Sequence, residues 1–302
     1  MSIINDLKLE YKMGGITQRL IFWNVGLFAI PLIIFSILKL SGVDVSAVDW
    51  TSNFYNGDFF SLSSNPADLL WKPWSLLGYA FLHKGFLHIL FNMLMLVFAA
   101  RVFLTFFTQK QLFGIYVLSA IFAGLVYIAG YAFLPMLAGQ ITGMVGASAA
   151  IMAILIAAAI YAPYYNVRLL LIGTVKIWHV AIVFVVLDLI NASVENSGGH
   201  IAHLAGAAFG FVYIKLLQNG TDLTIGVSRT LDFFGNLFKP KKKQPFTKVY
   251  RNTAPPTPKA AGMRSKNMTQ QQIDDILDKI SRSGYESLTK DEKDFLFKVG
   301  KN

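Results

Sequence analysis

Cysteine is absent from all 302 residues. That absence excludes disulfides, a thiol nucleophile and any cysteine metal site. Charge is scarce too. Only 15% of residues are charged while 54% are hydrophobic, whereas a soluble domain carries about 25% charged residues. The mean hydropathy is positive, +0.50. The N-terminal stretch "MSIINDLKLEYKMGG" mixes acids with bases and does not have a signal-peptide layout. The first apolar run, Leu20 to Leu40, is too long for a cleaved leader and reads as a span. The class implied is an all-α membrane protein.

A spanning helix needs about 20 apolar residues. Six runs qualify as candidates: Leu20 to Leu40, Gly85 to Leu104, Leu112 to Leu134, Val145 to Tyr161, Leu169 to Ile190 and His200 to Leu217. Bases fall on alternate connections. Lys8, Lys12 and Arg19 precede the first run, Arg101 and Lys110 separate the second and third, and Arg168 and Lys176 flank the next connection on that side. The other connections carry Asp44, Asp49, Asp58 and Asp68, then no charge over 135–144, then Glu195. The positive-inside rule therefore places the N-terminus in the cytoplasm, with even-numbered runs descending from outside to inside. The first outside loop, Ser41 to Pro73, is long and carries Trp50, Phe54, Tyr55, Phe59, Phe60 and Trp71. Its aromatics favour a segment lying in the membrane interface.

The formal charge is +10, and most of it lies in the last quarter of the chain. "KPKKKQPFTKVYRNTAPPTPKAAGMRSK" has nine bases, five prolines and no acid. It reads as a linker that can touch anionic lipid, and as a cytoplasmic tail more readily than as a nucleic-acid binder. Beyond it, Ile273, Ile276, Leu277 and Ile280 form an apolar stripe on a short helix that Gly284 stops. Thr289 with Glu292 three residues on makes a capping box for a second helix. The expected division is a cytoplasmic segment at 1–19, a six-helix membrane domain at 20–218, a basic proline-rich linker at 219–267 and a small helical hairpin at 268–302. The hairpin could dock a cytoplasmic partner or be a plain tail.

Polar residues inside spans are costly and mark candidate sites. All five histidines, His83, His88, His179, His200 and His203, fall in the membrane part. Four of them lie at the outer ends of the second and sixth runs, and Ser148 opens the fourth. Ser148, His203, His88 and Asn92 are thus expected at one depth, just below the outer surface. A serine hydroxyl needs a base within hydrogen-bond reach, and histidine is the usual one. His88 and Asn92 are four residues apart, so they share a helix face and could donate to one developing oxyanion. The N–H of Ser148 would be free at a helix start, and Gly146 allows close backbone approach. Gly206 and Gly210 would let the sixth run touch the fourth and bring His203 to Ser148. No acid lies at these motifs, although Asp188, near the end of the fifth run, could face the site. The simplest catalytic unit is then a serine–histidine dyad. Each element also has a plainer reading: a cap for Ser148, an interhelical hydrogen bond for the histidines, and packing for the glycines. His200 and His203, three apart, can bind zinc, but a catalytic zinc needs a third ligand, and no such helix motif is present.

These residues resemble the rhomboid family of intramembrane serine proteases. "HKGFLHILFN", from His83 to Asn92, resembles its second-helix signature, "GAS" at 146–148 its nucleophile motif, and "AHLAGAAFG", from Ala202 to Gly210, its general-base helix. The resemblance covers about residues 15 to 218 and implies a six-transmembrane-helix rhomboid-like bundle. It makes Ser148 the nucleophile, His203 the general base, and His88 and Asn92 the oxyanion donors. His83 becomes a structural histidine, and Trp74 matches a tryptophan of the first loop. It further implies no metal or cofactor, transmembrane protein substrates cut near their outer ends, and a bacterial inner-membrane location with both termini cytoplasmic. Some positions depart from the pattern. Ala149 follows the serine where many members have glycine. Met152 stands where many have a tyrosine stacked on the base histidine. Ser75 stands where a base usually follows the loop tryptophan. The alternative reading is an inactive rhomboid-like protein that escorts membrane clients.

Overall fold

The computed structural model describes residues 3–43, 59–170, 172–194, 196–237 and 261–299. Trp50, Phe54, Tyr55, Asp44, Asp49, Asp58, Glu195 and residues 238–260 of the basic linker lie outside the described residues. The chain divides into two compact units, Met1–Pro240 and Lys241–Asn302.

The first unit is a helical bundle. An amphipathic helix α1 (Ile3–Met13) leads into α2 (Ile16–Leu40). A short helix α3 (Ser75–Gly78) and a 3-10 turn (Tyr79–Phe81) precede α4 (Phe86–Phe106) and α5 (Gln109–Phe133). Then come α6 (Ser148–Tyr161), α7 (Ile177–Asn191), α8 (Ser197–Gln218) and α9 (Thr224–Leu237). By length and composition α2, α4, α5 and α8 can each cross a membrane, while α6 and α7 are shorter apolar helices.

Helix α6 is the hub. Every residue from Ala149 to Ala159 is buried, and the helix packs against α4, α5, α7 and α8. A helix buried all round can be apolar all round, which is why this run shows no polar face. Its small residues allow close approach. A methyl group built on Gly206 or Gly210 of α8 would collide with the carbonyl of Ala149 or Ala153. Helix α2 has the opposite character, with Ile33 and Ile37 more than half exposed on an apolar outer surface. Side chains of that kind suit lipid, not water.

The segment entering α6 is anchored from two sides. Strand β1 (Leu62–Ser63) pairs antiparallel with β2 (Gly143–Met144), Leu62 opposite Met144. The Ser64 N–H donates to the Thr142 carbonyl at 2.9 Å and the Gly146 N–H to the Tyr79 carbonyl at 2.9 Å. The Tyr79 hydroxyl in turn donates to the Ala120 carbonyl of α5 at 2.7 Å.

Four features depart from the sequence expectation. The fifth run does not begin as a helix at Leu169. Residues there form a hairpin of β3 (Asn166–Leu169) and β4 (Gly173–Lys176), with Gly173 at φ 89° where the chain reverses. Hydropathy alone cannot separate an apolar hairpin from a helix start. Second, α9 lies within the stretch expected to be linker. Asp222 starts it by accepting from the Thr224 N–H at 2.8 Å and the Thr224 hydroxyl at 2.6 Å. Thr224 is buried against Gly114 of α5. Third, the first long helix begins at Ile16 and not Leu20, because Gln18 folds back to accept from the Gly15 N–H at 3.0 Å. Fourth, in the second unit the apolar stripe does not include Leu277, which is 49% exposed while Ile276 is 7% exposed.

That second unit contains α10 (Ala261–Ser283) and α11 (Lys290–Val299). The Lys279 ammonium meets both Glu292 oxygens at 2.9 Å. Glu292 also accepts from the Thr289 N–H at 2.7 Å, and the Glu292 N–H donates to the Thr289 hydroxyl at 3.4 Å. These two contacts are the reciprocal geometry that the Thr–x–x–Glu spacing predicts.

Candidate active site

Ser148 is the first residue of α6, and His203 lies two turns into α8. The glycine contacts between these helices bring the two side chains together. The Ser148 Oγ and His203 Nε2 are 2.6 Å apart. On the other side of the ring, His203 Nδ1 is 2.8 Å from Asp188 Oδ1. A carboxylate only accepts, so this contact puts the proton on Nδ1 and leaves the Nε2 lone pair facing the serine hydroxyl. The serine therefore donates to the imidazole, the orientation needed for proton abstraction.

Asp188 is the partner that spacing arguments left undefined. It lies near the C-terminal end of α7 and is buried, 6% exposed. The same Oδ1 lies 2.7 Å from His200 Nδ1, while Asp188 Oδ2 has no hydrogen-bond partner among the described residues. The serine–histidine pair is thus backed by an acid from a third helix, which corrects the expectation of a dyad with no carboxylate. It also answers the question raised by Met152. That side chain is buried one turn below Ser148 and lines a small apolar cavity of about 240 Å³ with Phe91, Met95, Leu155 and Phe184. A hydrogen bond to Asp188 orients the His203 ring with a methionine, not an aromatic residue, at position 152. One sequence signal could have singled Asp188 out: it is the only acidic residue in the six apolar runs.

The opposite side of the serine carries donors. The Lys84 N–H donates to His88 Nδ1 at 3.3 Å, so neutral His88 carries its proton on Nε2. That Nε2 would lie 3.1 Å from a Cβ on Gly146, and Ser148 Oγ would lie 3.5 Å from the same point. The space between hydroxyl and imidazole exists because residue 146 has no side chain. Gly146 also sits at φ 137°, which a side-chain-bearing residue resists. Asn92 donates one Nδ2 hydrogen to the His88 carbonyl at 2.8 Å, leaving the other free. The first-turn amides of α6, Ser148 included, have no carbonyl within their own helix to take them.

Ser148, His203, His88 and Asn92 all line one cavity of about 1000 Å³, together with Tyr127, Tyr131 and the 142–146 segment. The remaining expected residues surround it. His83 is fully buried with its ring 5.1 Å from that of His88, and neither of its ring nitrogens has a hydrogen-bond partner among the described residues. Trp74 does not reach the cavity; its indole N–H donates to the Phe59 carbonyl at 2.8 Å and its ring packs on Phe59, tying down the first loop. His179 is exposed against Trp178 at the start of α7, away from the others.

A family model described as a rhomboid domain matches residues 70–219. A second model, described as a family of unknown function (DUF6576), matches residues 264–301. Comparison with curated proteins found no match. The domain match and the four long apolar helices mark the chain as an integral membrane protein.

Proposed function

The chain belongs to the rhomboid family through residues 70–219, and on that premise we propose that it is an intramembrane serine endopeptidase. Its substrates are single-span or multi-span membrane proteins, cut near the outer face. In this reading α6 and α7 complete a six-span bundle, and the protein sits in a bacterial inner membrane with both termini cytoplasmic. The 219–267 stretch, α9 included, then tethers a small C-terminal hairpin on the cytoplasmic side, where a partner can dock.

The Ser148 oxygen attacks the scissile carbonyl carbon while His203 Nε2 takes the hydroxyl proton. Negative charge moves onto the carbonyl oxygen, where the Ser148 N–H, His88 Nε2–H and Asn92 Nδ2–H can reach it. The imidazolium returns its proton to the leaving amine as the C–N bond breaks, which leaves an acyl-serine. Water then attacks the acyl carbon with His203 again as base, and the freed serine recovers its proton. Asp188 stabilises the imidazolium and fixes its tautomer. The observation that carries the reading is the 2.6 Å contact between Ser148 Oγ and His203 Nε2, backed by Asp188. The test is incubation of purified wild type and Ser148→Ala with single-span reporters, followed by sequencing of the cut ends. Cleavage by wild type alone, near the outer end of the reporter span, supports the proposal. Equal cleavage by both proteins ends it.

A second reading follows from Met152, which stands in the position of the usual tyrosine. The chain would then bind and escort membrane clients without cutting them. A folded protein that binds the reporters but leaves them intact would favour it.

A further inference from the structure

We infer that Asp188, His200 and His203 form a binding site for a borderline transition-metal ion, Zn2+ in particular, and that occupancy switches the serine centre off. The inhibitory half of this inference rests on the proposed serine chemistry; the metal-binding half does not.

Each of the three residues offers a ligand atom, and these atoms lie within 4.8 Å of one another. Two imidazoles and a carboxylate are a common zinc set, with Zn–N and Zn–O bonds of about 2.0–2.2 Å. Spacing along α8 supplies only the two histidines. The third ligand comes from α7, so it is invisible to any single-helix motif. At present both Nδ1 atoms converge on one oxygen, at 2.7 and 2.8 Å. Ligand atoms of a tetrahedral zinc lie about 3.4 Å apart, as follows from those bond lengths. Each aspartate–histidine pair therefore has to open by less than an ångström. The means is at hand, because Asp188 Oδ2 is buried without a hydrogen-bond partner among the described residues, on a side chain only 8% exposed. A buried acceptor without a partner is costly and calls for a cation or donor. The two histidine side chains remain 21% and 24% exposed, so an ion from the aqueous side has access.

Inhibition follows from proton bookkeeping. A neutral imidazole that ligates through Nδ1 must carry its proton on Nε2. When His203 binds metal, the proton now on Nδ1 is transferred by way of solvent to Nε2. No net proton is released, and Nε2 becomes a donor. It can then no longer accept the Ser148 proton, so the nucleophile loses its base. Imidazole ligands favour Zn2+ over Mg2+ or Ca2+, which should leave the centre untouched.

The test uses full-length protein without a polyhistidine tag, in detergent, with Co2+ as spectroscopic probe. One equivalent of Co2+ should give visible ligand-field absorption that Zn2+ displaces. Binding should weaken at least tenfold in His200→Ala and in Asp188→Asn, since losing a direct ligand exceeds the loss from an outer-shell change. Fluorophosphonate labelling of Ser148 should fall with Zn2+ in wild type and recover with chelator, whereas any labelling that remains in His200→Ala should ignore Zn2+. Absence of the Co2+ bands in wild type, or equal bands in wild type and His200→Ala, overturns the metal site. Bound Co2+ with labelling unaffected by Zn2+ overturns the switch. A protein that binds Co2+ with this residue dependence but never labels, with or without metal, refutes the serine chemistry and the switch with it while upholding the site.

Discussion

At the scale of single residues, the account turns on which atoms hold protons. Asp188 does not touch a substrate; it acts through His203 by fixing Nδ1–H. Asp188→Asn can reverse that preference by presenting an amide N–H to the ring. Cleavage by this variant should drop by roughly 10²–10⁴-fold in kcat, as expected when the base is held in the wrong tautomer. Far-UV circular dichroism should stay unchanged, since the substitution is isosteric. Asn92→Ala removes one oxyanion donor and should raise the barrier by about 2–4 kcal/mol, read as lost kcat with little change in KM. Of the site, Ser148, His203, His88 and Asn92 were legible in the sequence, because charge bias and span counting set their common depth. The Asp188 contact was not. Depth says how far along its axis a residue sits, but facing a neighbour also depends on rotation about that axis. Packing sets that rotation: α7 turns Asp188 inward near its C-terminal end, while Ile182 and Val183 on the same helix stay half exposed.

At the scale of elements, the close approach of α6 and α8 is what assembles the site. Gly206→Ala places a methyl group on the Ala149 carbonyl, a backbone atom that cannot swing away. The expected cost is about 1–3 kcal/mol or more from overpacking, seen as a lower thermal midpoint in detergent together with reduced cleavage. Gly226→Ala on α9 is the control. It meets nothing within 4 Å and should stay within about 0.5 kcal/mol. In the second unit, the Lys279 contact and the Thr289 N–H hold the Glu292 carboxyl below its ordinary value of 4.5. A depressed carboxyl contributes stability that is present above the unfolded value and lost as pH falls through the folded one. Limited proteolysis of the full chain should therefore expose the 284–289 connection below about pH 4.5. Glu292→Gln should expose it at neutral pH. This capping box was readable because it is local, set by residues three apart. The β3–β4 hairpin and α9 were not. The apolar character of 169–172 masked a turn at Gly173. The start of α9 depends on Thr224 packing against Gly114, more than a hundred positions earlier in the chain.

At the scale of the whole molecule, the first unit combines helices with exposed apolar side chains and a hollow of about 1000 Å³ that Ser148, His203, His88 and Asn92 line. Burial in lipid explains why so few charges suffice, and why Asp188, the one buried acid among the described residues, lies against two histidines. The helical membrane class was readable from composition, since lipid imposes a strong and simple constraint. The hollow was not, because a cavity is a property of side chains from several helices at once. On the proposed chemistry, a substrate segment has to leave its helix to lie against Ser148. Substrates with a helix-breaking residue near the outer end of their span should accordingly be cut faster than matched substrates without one, in side-by-side reporter assays.

The central claim is that the Ser148 oxygen is made nucleophilic by the imidazole 2.6 Å away. Labelling of the purified protein with a fluorophosphonate, followed by peptide mapping, measures that reactivity at the atom concerned. The account predicts a single phosphonylated residue, Ser148, with labelling lost in Ser148→Ala and strongly slowed in His203→Ala. A well-folded protein, stripped of metal by chelator, that stays unlabelled at Ser148 would contradict it.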